Sequence, residues 1–296
     1  MRTPSLFRGL TLAALAITAT HLAESAQAQG EPSGPPTAMQ RASQLDRDGQ
    51  TAQARRMFQA LIDSAANPAA KAQAQRAMAM SYAFDRDCAS TVKFESLVIA
   101  YWVTREQAEP ENAFYEQGEM SNEAARVCLD AGQIDVAEQW YRRGYELGTK
   151  EPAPQTHPRS LWEFRLAHAL ARIAARRGDT TQARLQIAAA RRALDGDTAM
   201  AAQQERYFPY LVGYVAFYAN DLATAETQFT RAIATRGNER DAFQHCLLAM
   251  TLERLGRQAE AKTMYQKAYD LATGHNPPAA FVRPFAREKL RLAGSR

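Results

Sequence analysis

The sequence predicts an all-α array of about six helical hairpins, and three observations carry that prediction. Alanine is abundant alongside Arg, Gln, Glu and Leu, while Gly and Pro are scarce inside the long periodic segments, a composition that favours helix. A pattern of small, turn, small, aromatic and small residues recurs along the chain at offsets 0, 7, 12, 16 and 19. The offset-7 member is Gly or a polar turn former, the residue types that leave a helix cheaply through a left-handed backbone. Each unit therefore reads as helix, turn and helix. Small residues at offsets 0 and 12 let the two helices approach, the aromatic fills the space beside their contact, and offset 19 faces the next unit.

The elements follow in chain order. Arg2 and Arg8 precede the apolar run Gly9–Thr20, and Ala26-Gln27-Ala28 supplies a small-residue cleavage signal. Residues 1–28 are thus expected to be a cleaved secretory signal peptide, since about twelve apolar residues are too short to span a bilayer. Export to a bacterial periplasm, or beyond it, is the expectation. Residues 29–36, with GEPSGPP, form a flexible leader, and the repeat array is assigned to residues 37–275.

Unit one carries Ala42, Gly49, Ala54, Phe58 and Leu61. Unit two is the weakest match, read as Met78, Asp85, Ser90, Phe94 and Leu97. Unit three has Ala125, Gly132, Ala137, Tyr141 and Gly144; unit four has Ala171, Gly178, Ala183, Ile187 and Ala190. Unit five has Gly213, Asn220, Ala225, Phe229 and Ala232, and unit six has Ala249, Gly256, Ala261, Tyr265 and Ala268. Asp179 and Asp221 are placed to cap second helices. Residues 276–296 form a C-terminal capping helix with a basic tail: Pro277 and Pro278 suit its first turn, and Phe281, Phe285 and Leu290 can cover the last repeat.

This arrangement resembles the tetratricopeptide repeat (TPR), whose A-x-x-x-F element appears as Ala54-x-x-x-Phe58, Ala137-x-x-x-Tyr141, Ala225-x-x-x-Phe229 and Ala261-x-x-x-Tyr265. The resemblance implies a right-handed superhelical solenoid of TPR-like hairpins. The offset-12 residues lie 36, 47, 46, 42 and 36 apart, against the family's 34, and the extra length falls in Tyr101–Phe114, Gly148–Ser160 and Asp195–Phe208.

Catalytic and metal-binding patterns are absent from the sequence. No two of His21, His157, His168, His245 and His275 are spaced as metal ligands, and no nucleophile elbow, P-loop or dinucleotide fingerprint occurs. Asp195-Gly196-Asp197 lacks the remaining ligands of a calcium loop. The chain is accordingly read as a non-enzyme with no cofactor and no metal. Cys88, Cys128 and Cys246 read as small buried thiols; their spacing allows one disulfide without choosing its pair. A formal charge of +4 with interspersed acids disfavours nucleic acid, and no later segment is apolar enough for membrane insertion of the mature chain.

The resemblance places ligand contacts on the inner wall formed by the first helices. Positions −6, −3 and +1 from offset 0 give Glu119, Asn122 and Arg126, then Arg165, His168 and Arg172. They continue as Tyr207, Tyr210 and Tyr214, then Phe243, Cys246 and Met250. Of these, Asn122, Arg126, Arg165, His168, Arg172, Tyr207, Tyr210, Tyr214 and Phe243 are the candidate partner-binding residues. Arginine and tyrosine offer large contact area with directed polar ends, which suits peptide anchoring. For the tyrosines, packing in the core is the competing expectation. The reading is a protein-interaction scaffold, in an envelope or secretion assembly, that holds a partner polypeptide in the groove. A carrier or sensor using the same wall for a small molecule or glycan is the alternative.

Overall fold

The computed structural model describes residues 35–292, and the regular structure within them is helical. The expected signal peptide, all but the last two residues of the expected leader, and the end of the basic tail lie outside these residues. Six hairpins follow one another: α1 (Ala38–Arg47) with α2 (Thr51–Asp63), α3 (Pro68–Phe84) with α4 (Cys88–Val103), and α5 (Pro110–Asp130) with α6 (Ile134–Gly148). Then come α7 (Arg159–Arg176) with α8 (Thr180–Gly196), a short α9 (Thr198–Gln204) and a 3₁₀ turn (Glu205–Tyr207). The array continues with α10 (Phe208–Tyr218) and α11 (Leu222–Ala234), α12 (Ala242–Arg254) and α13 (Gln258–Leu271), and ends in α14 (Pro277–Leu292).

The small residues do what their spacing predicts. Ala42 and Ala54, Ala125 and Ala137, and Ala171 and Ala183 are all completely buried. At the turns, Gly49, Gly132, Gly178, Asn220 and Gly256 all adopt positive φ, where a β-carbon is costly. Asp179 and Asp221 accept from the backbone N–H groups of Gln182 and Thr224, capping α8 and α11 as expected. The extra lengths are resolved as well: Tyr101–Phe114 holds a turn and the start of the long α5, while Asp195–Phe208 holds α9 and the 3₁₀ turn.

Unit two is corrected by one residue. Its left-handed turn residue is Arg86, with φ 57°, not Asp85. The same ruler then falls on Ala79, Arg86, Thr91, Glu95 and Val98, and its helical members are buried while Leu97 is exposed. Thr91 Oγ1 donates to the Ala79 carbonyl at 3.3 Å, across the contact that two small residues make elsewhere. Ser90 and Phe94 imitate the repeat element one position early. Ser90 instead donates its backbone N–H and its hydroxyl to Asp87, the N-cap of α4, and Phe94 lies half-buried, stacked on Tyr82.

The cysteines also depart from the thiol expectation. Cys88, at the start of α4, and Cys128, near the end of α5, form a disulfide that ties the second hairpin to the third. Cys246 is a buried free thiol whose pKa burial pushes up.

The last helix does more than cap. α14 packs on α12 and α13, and it also lies against α3, α5 and α1. Ala279, Ala280, Val282 and Ala286 are buried along it. One apolar cluster runs from Met80 and Phe84 through Val127 to Phe243, Leu247 and Val282. Arg283 Nε and Arg287 Nη2 donate to the Arg47 carbonyl at 3.0 and 2.6 Å, placing cations at the C-terminus of α1. His275 Nε2 meets buried Asp46 Oδ2 at 2.7 Å, while Ser81 Oγ donates to Oδ1 of the same carboxylate at 2.7 Å. The first hairpin, the second and the segment leading into α14 are thus joined through one buried carboxylate.

Candidate functional site

The first helices of the third and fourth hairpins each carry polar residues at i, i+3 and i+7. These are Glu119, Asn122 and Arg126 on α5, and Arg165, His168 and Arg172 on α7, so each set shares one helix face. The two faces meet around a cavity of about 330 Å³. Gln204 of α9, Tyr207 of the 3₁₀ turn and Tyr210 of α10 line it too, as do Pro277 and Pro278 of α14. Asn122, Arg126, Arg165, His168, Arg172, Tyr207 and Tyr210, all singled out from sequence, are therefore brought together.

Tyr214 and Phe243 are placed elsewhere. Tyr214 is only 2% exposed and packs in the core, and Phe243 lies beneath Arg126, with the guanidinium 4.0 Å from its ring centroid. Phe243 also meets Phe281 of α14 in a T-shaped contact, ring centroids 5.2 Å apart. The sixth unit's wall residues, Phe243, Cys246 and Met250, belong to the cluster that α14 packs against.

The cavity has a half-exposed mouth and a buried floor. At the mouth, Arg165 pairs with Glu119 and donates to the Tyr115 hydroxyl at 3.2 Å. Glu123, facing the cavity from α5, pairs with Arg76 at 2.6 Å. On the floor, Arg172 is 6% exposed and donates to the hydroxyls of Tyr141, at 3.0 Å, and Tyr210, at 3.3 Å. Among the described residues no carboxylate lies within 4.0 Å of that guanidinium. Arg126 Nε donates to Asp130 at 3.0 Å, leaving its buried Nη2 without a partner.

His168 is also on the floor, and its buried Nε2 has no partner. Burial, then the charge of Arg172, holds its pKa well below the usual 6.5, so the imidazole is neutral at pH 7. A second unusual group sits behind Glu123. Glu95 is fully buried and neither of its carboxyl oxygens receives a donor. Burial, then the charge of Glu123, holds it well above the ordinary 4.5.

Sequence reasoning missed Tyr141, Phe164, Glu123, Gln204, Pro277 and Pro278 as lining residues. Tyr141 fills the repeat's aromatic position, and nothing in that pattern says that its hydroxyl will face Arg172. The two prolines announce a helix start, but not that the helix turns back to the inner wall. Among the described residues no group of His, Cys, Asp and Glu is arranged to hold a metal ion. No described helix is long and apolar enough to cross a membrane.

Residues 245–275, which span most of α12 and all of α13, match the family model described as tetratricopeptide repeat. No curated protein matches the chain. The match covers the hairpin containing Ala249, Gly256, Ala261, Tyr265 and Ala268. The chain thus carries a tetratricopeptide repeat within an all-helical array of hairpins.

Proposed function

We propose that this protein is an exported, non-catalytic interaction scaffold that receives a segment of a partner polypeptide at its inner wall, by the mouth of the central cavity. One observation carries the reading: the inner wall already holds a polypeptide helix, the chain's own α14, against α3, α5 and α12. Beside that helix, half-buried Asn122, Arg165, Gln204 and Tyr207 offer hydrogen-bonding groups and aromatic area that α14 leaves uncovered. The Cys88–Cys128 disulfide supports residence in an oxidising compartment, in keeping with the N-terminal segment. An envelope or secretion assembly is the setting proposed for the partner.

Selection from a displayed peptide library against the folded protein tests this reading. Wild type is expected to enrich a consensus that Arg165→Ala/Tyr207→Ala no longer binds, with melting temperature little changed because both residues are partly exposed. Tyr210 is unsuitable for this purpose. It is buried against His168 and Phe243, so its removal lowers stability as well. Failure to enrich any consensus, or equal binding by the double variant, counts against the reading.

A further inference from the structure

The floor of the cavity holds a guanidinium, that of Arg172, with no ion-pair partner among the described residues. Of the arginines that line it, Arg126 pairs with Asp130 and Arg165 with Glu119, while Glu123 is taken by Arg76. Arg172 instead donates to two tyrosine hydroxyls and one backbone carbonyl. A buried guanidinium without an anion is costly, and so is each buried polar atom left unpaired. Arg126 Nη2 and His168 Nε2 are two such atoms, on residues of the same floor.

We propose that this floor is a binding site for the carboxylate of a small organic acid, held by Arg172 and Arg126, with His168 bonding a second polar atom of the ligand. This goes beyond the partner segment proposed for the mouth by naming a small ligand for the floor beneath it. A single uncompensated guanidinium balances a monoanion, whereas a phosphate monoester would bring about −1.5 to −2 and overcharge the floor. The guanidinium fork suits the two oxygens of a carboxylate. Phe164, Tyr207, Tyr210 and the two prolines supply apolar surface for the remainder of the molecule. At about 330 Å³ the cavity falls at the small end of ordinary ligand pockets, and one acidic side chain from a partner would leave most of it empty.

The test is calorimetric titration of the whole mature chain with phenylacetate, indole-3-acetate and hexanoate, each beside its uncharged primary amide. At least one acid is expected to saturate at one site and to bind roughly ten- to a hundredfold more tightly than its amide. Arg172→Gln brings that acid to the level of the amide, while Arg257→Gln, in a surface ion pair, leaves it unchanged. If Arg172→Gln melts markedly earlier than wild type, Arg126→Gln provides the same comparison. The proposal is overturned if no acid saturates, if amides bind as well as acids, or if an aspartate-bearing peptide binds where the free acids do not. Peptide selection reads the half-exposed mouth separately, so either result can fail while the other stands.

Discussion

Glu95 occupies a position that Phe58, Tyr141, Phe229 and Tyr265 fill in other hairpins, and it brings a carboxyl group into a space built for an aromatic ring. Such a group survives burial by keeping its proton, which burial and the neighbouring Glu123 both favour. The folded chain holds this proton more tightly than the unfolded one. Stability is therefore greatest below the ordinary value of 4.5 and is lost as pH rises from there through the elevated folded value. Glu95→Gln carries no proton to lose and stays neutral at every pH. Its melting temperature is expected to exceed wild type at about pH 8, with the advantage shrinking towards about pH 4. Thermal melts across that range check this, and a pH-independent difference would refute it. Sequence reading missed the site because Ser90 and Phe94 spell the repeat element one residue early, and only the positive φ of Arg86 reveals the true register.

At the scale of elements, hairpins were legible because each is a local structure. Caps, turns and small-residue contacts lie within a few dozen residues, and their spacing follows from helix geometry. Contacts between hairpins were less legible. Cys88 and Cys128 meet only because α4 stacks on α5, so no spacing rule selects the pair over one with Cys246. Closing a loop with a sequence separation of 40 is worth about 4 kcal/mol on the chain-entropy account. Cys88→Ser/Cys128→Ser is expected to lower the melting temperature by roughly 10 °C, whereas Cys246→Ser, without a bond to lose, has a smaller effect. Equal effects from the two variants would show that the disulfide contributes little. The course of α14 was the least legible of all. Its prolines and aromatics announce a helix with an apolar face, but the face is matched by surfaces on α1, α3, α5 and α12 that exist only once the array has formed.

For the molecule as a whole, the division of labour is between residues that build the wall and residues that face inward from it. Buried small residues set the hairpin spacing, and the i, i+3, i+7 sets on α5 and α7 follow as the inner face of helices fixed by that spacing. This is why Asn122, Arg126, Arg165, His168 and Arg172 could be grouped from sequence, and why they line one cavity. Tyr214 and Phe243 share the periodicity but lie in the core, because neighbouring helices cover their part of the wall. The central claim is that recognition takes place at the inner mouth beside α14. Site-specific photo-crosslinking in the native host tests it directly, with the reactive side chain at Gln204 or, for comparison, at exposed Leu185 on α8. The account predicts a discrete polypeptide adduct from position 204 that weakens with Arg165→Ala, and none from position 185. Adducts from 185 alone, or an adduct at 204 indifferent to Arg165→Ala, would contradict it.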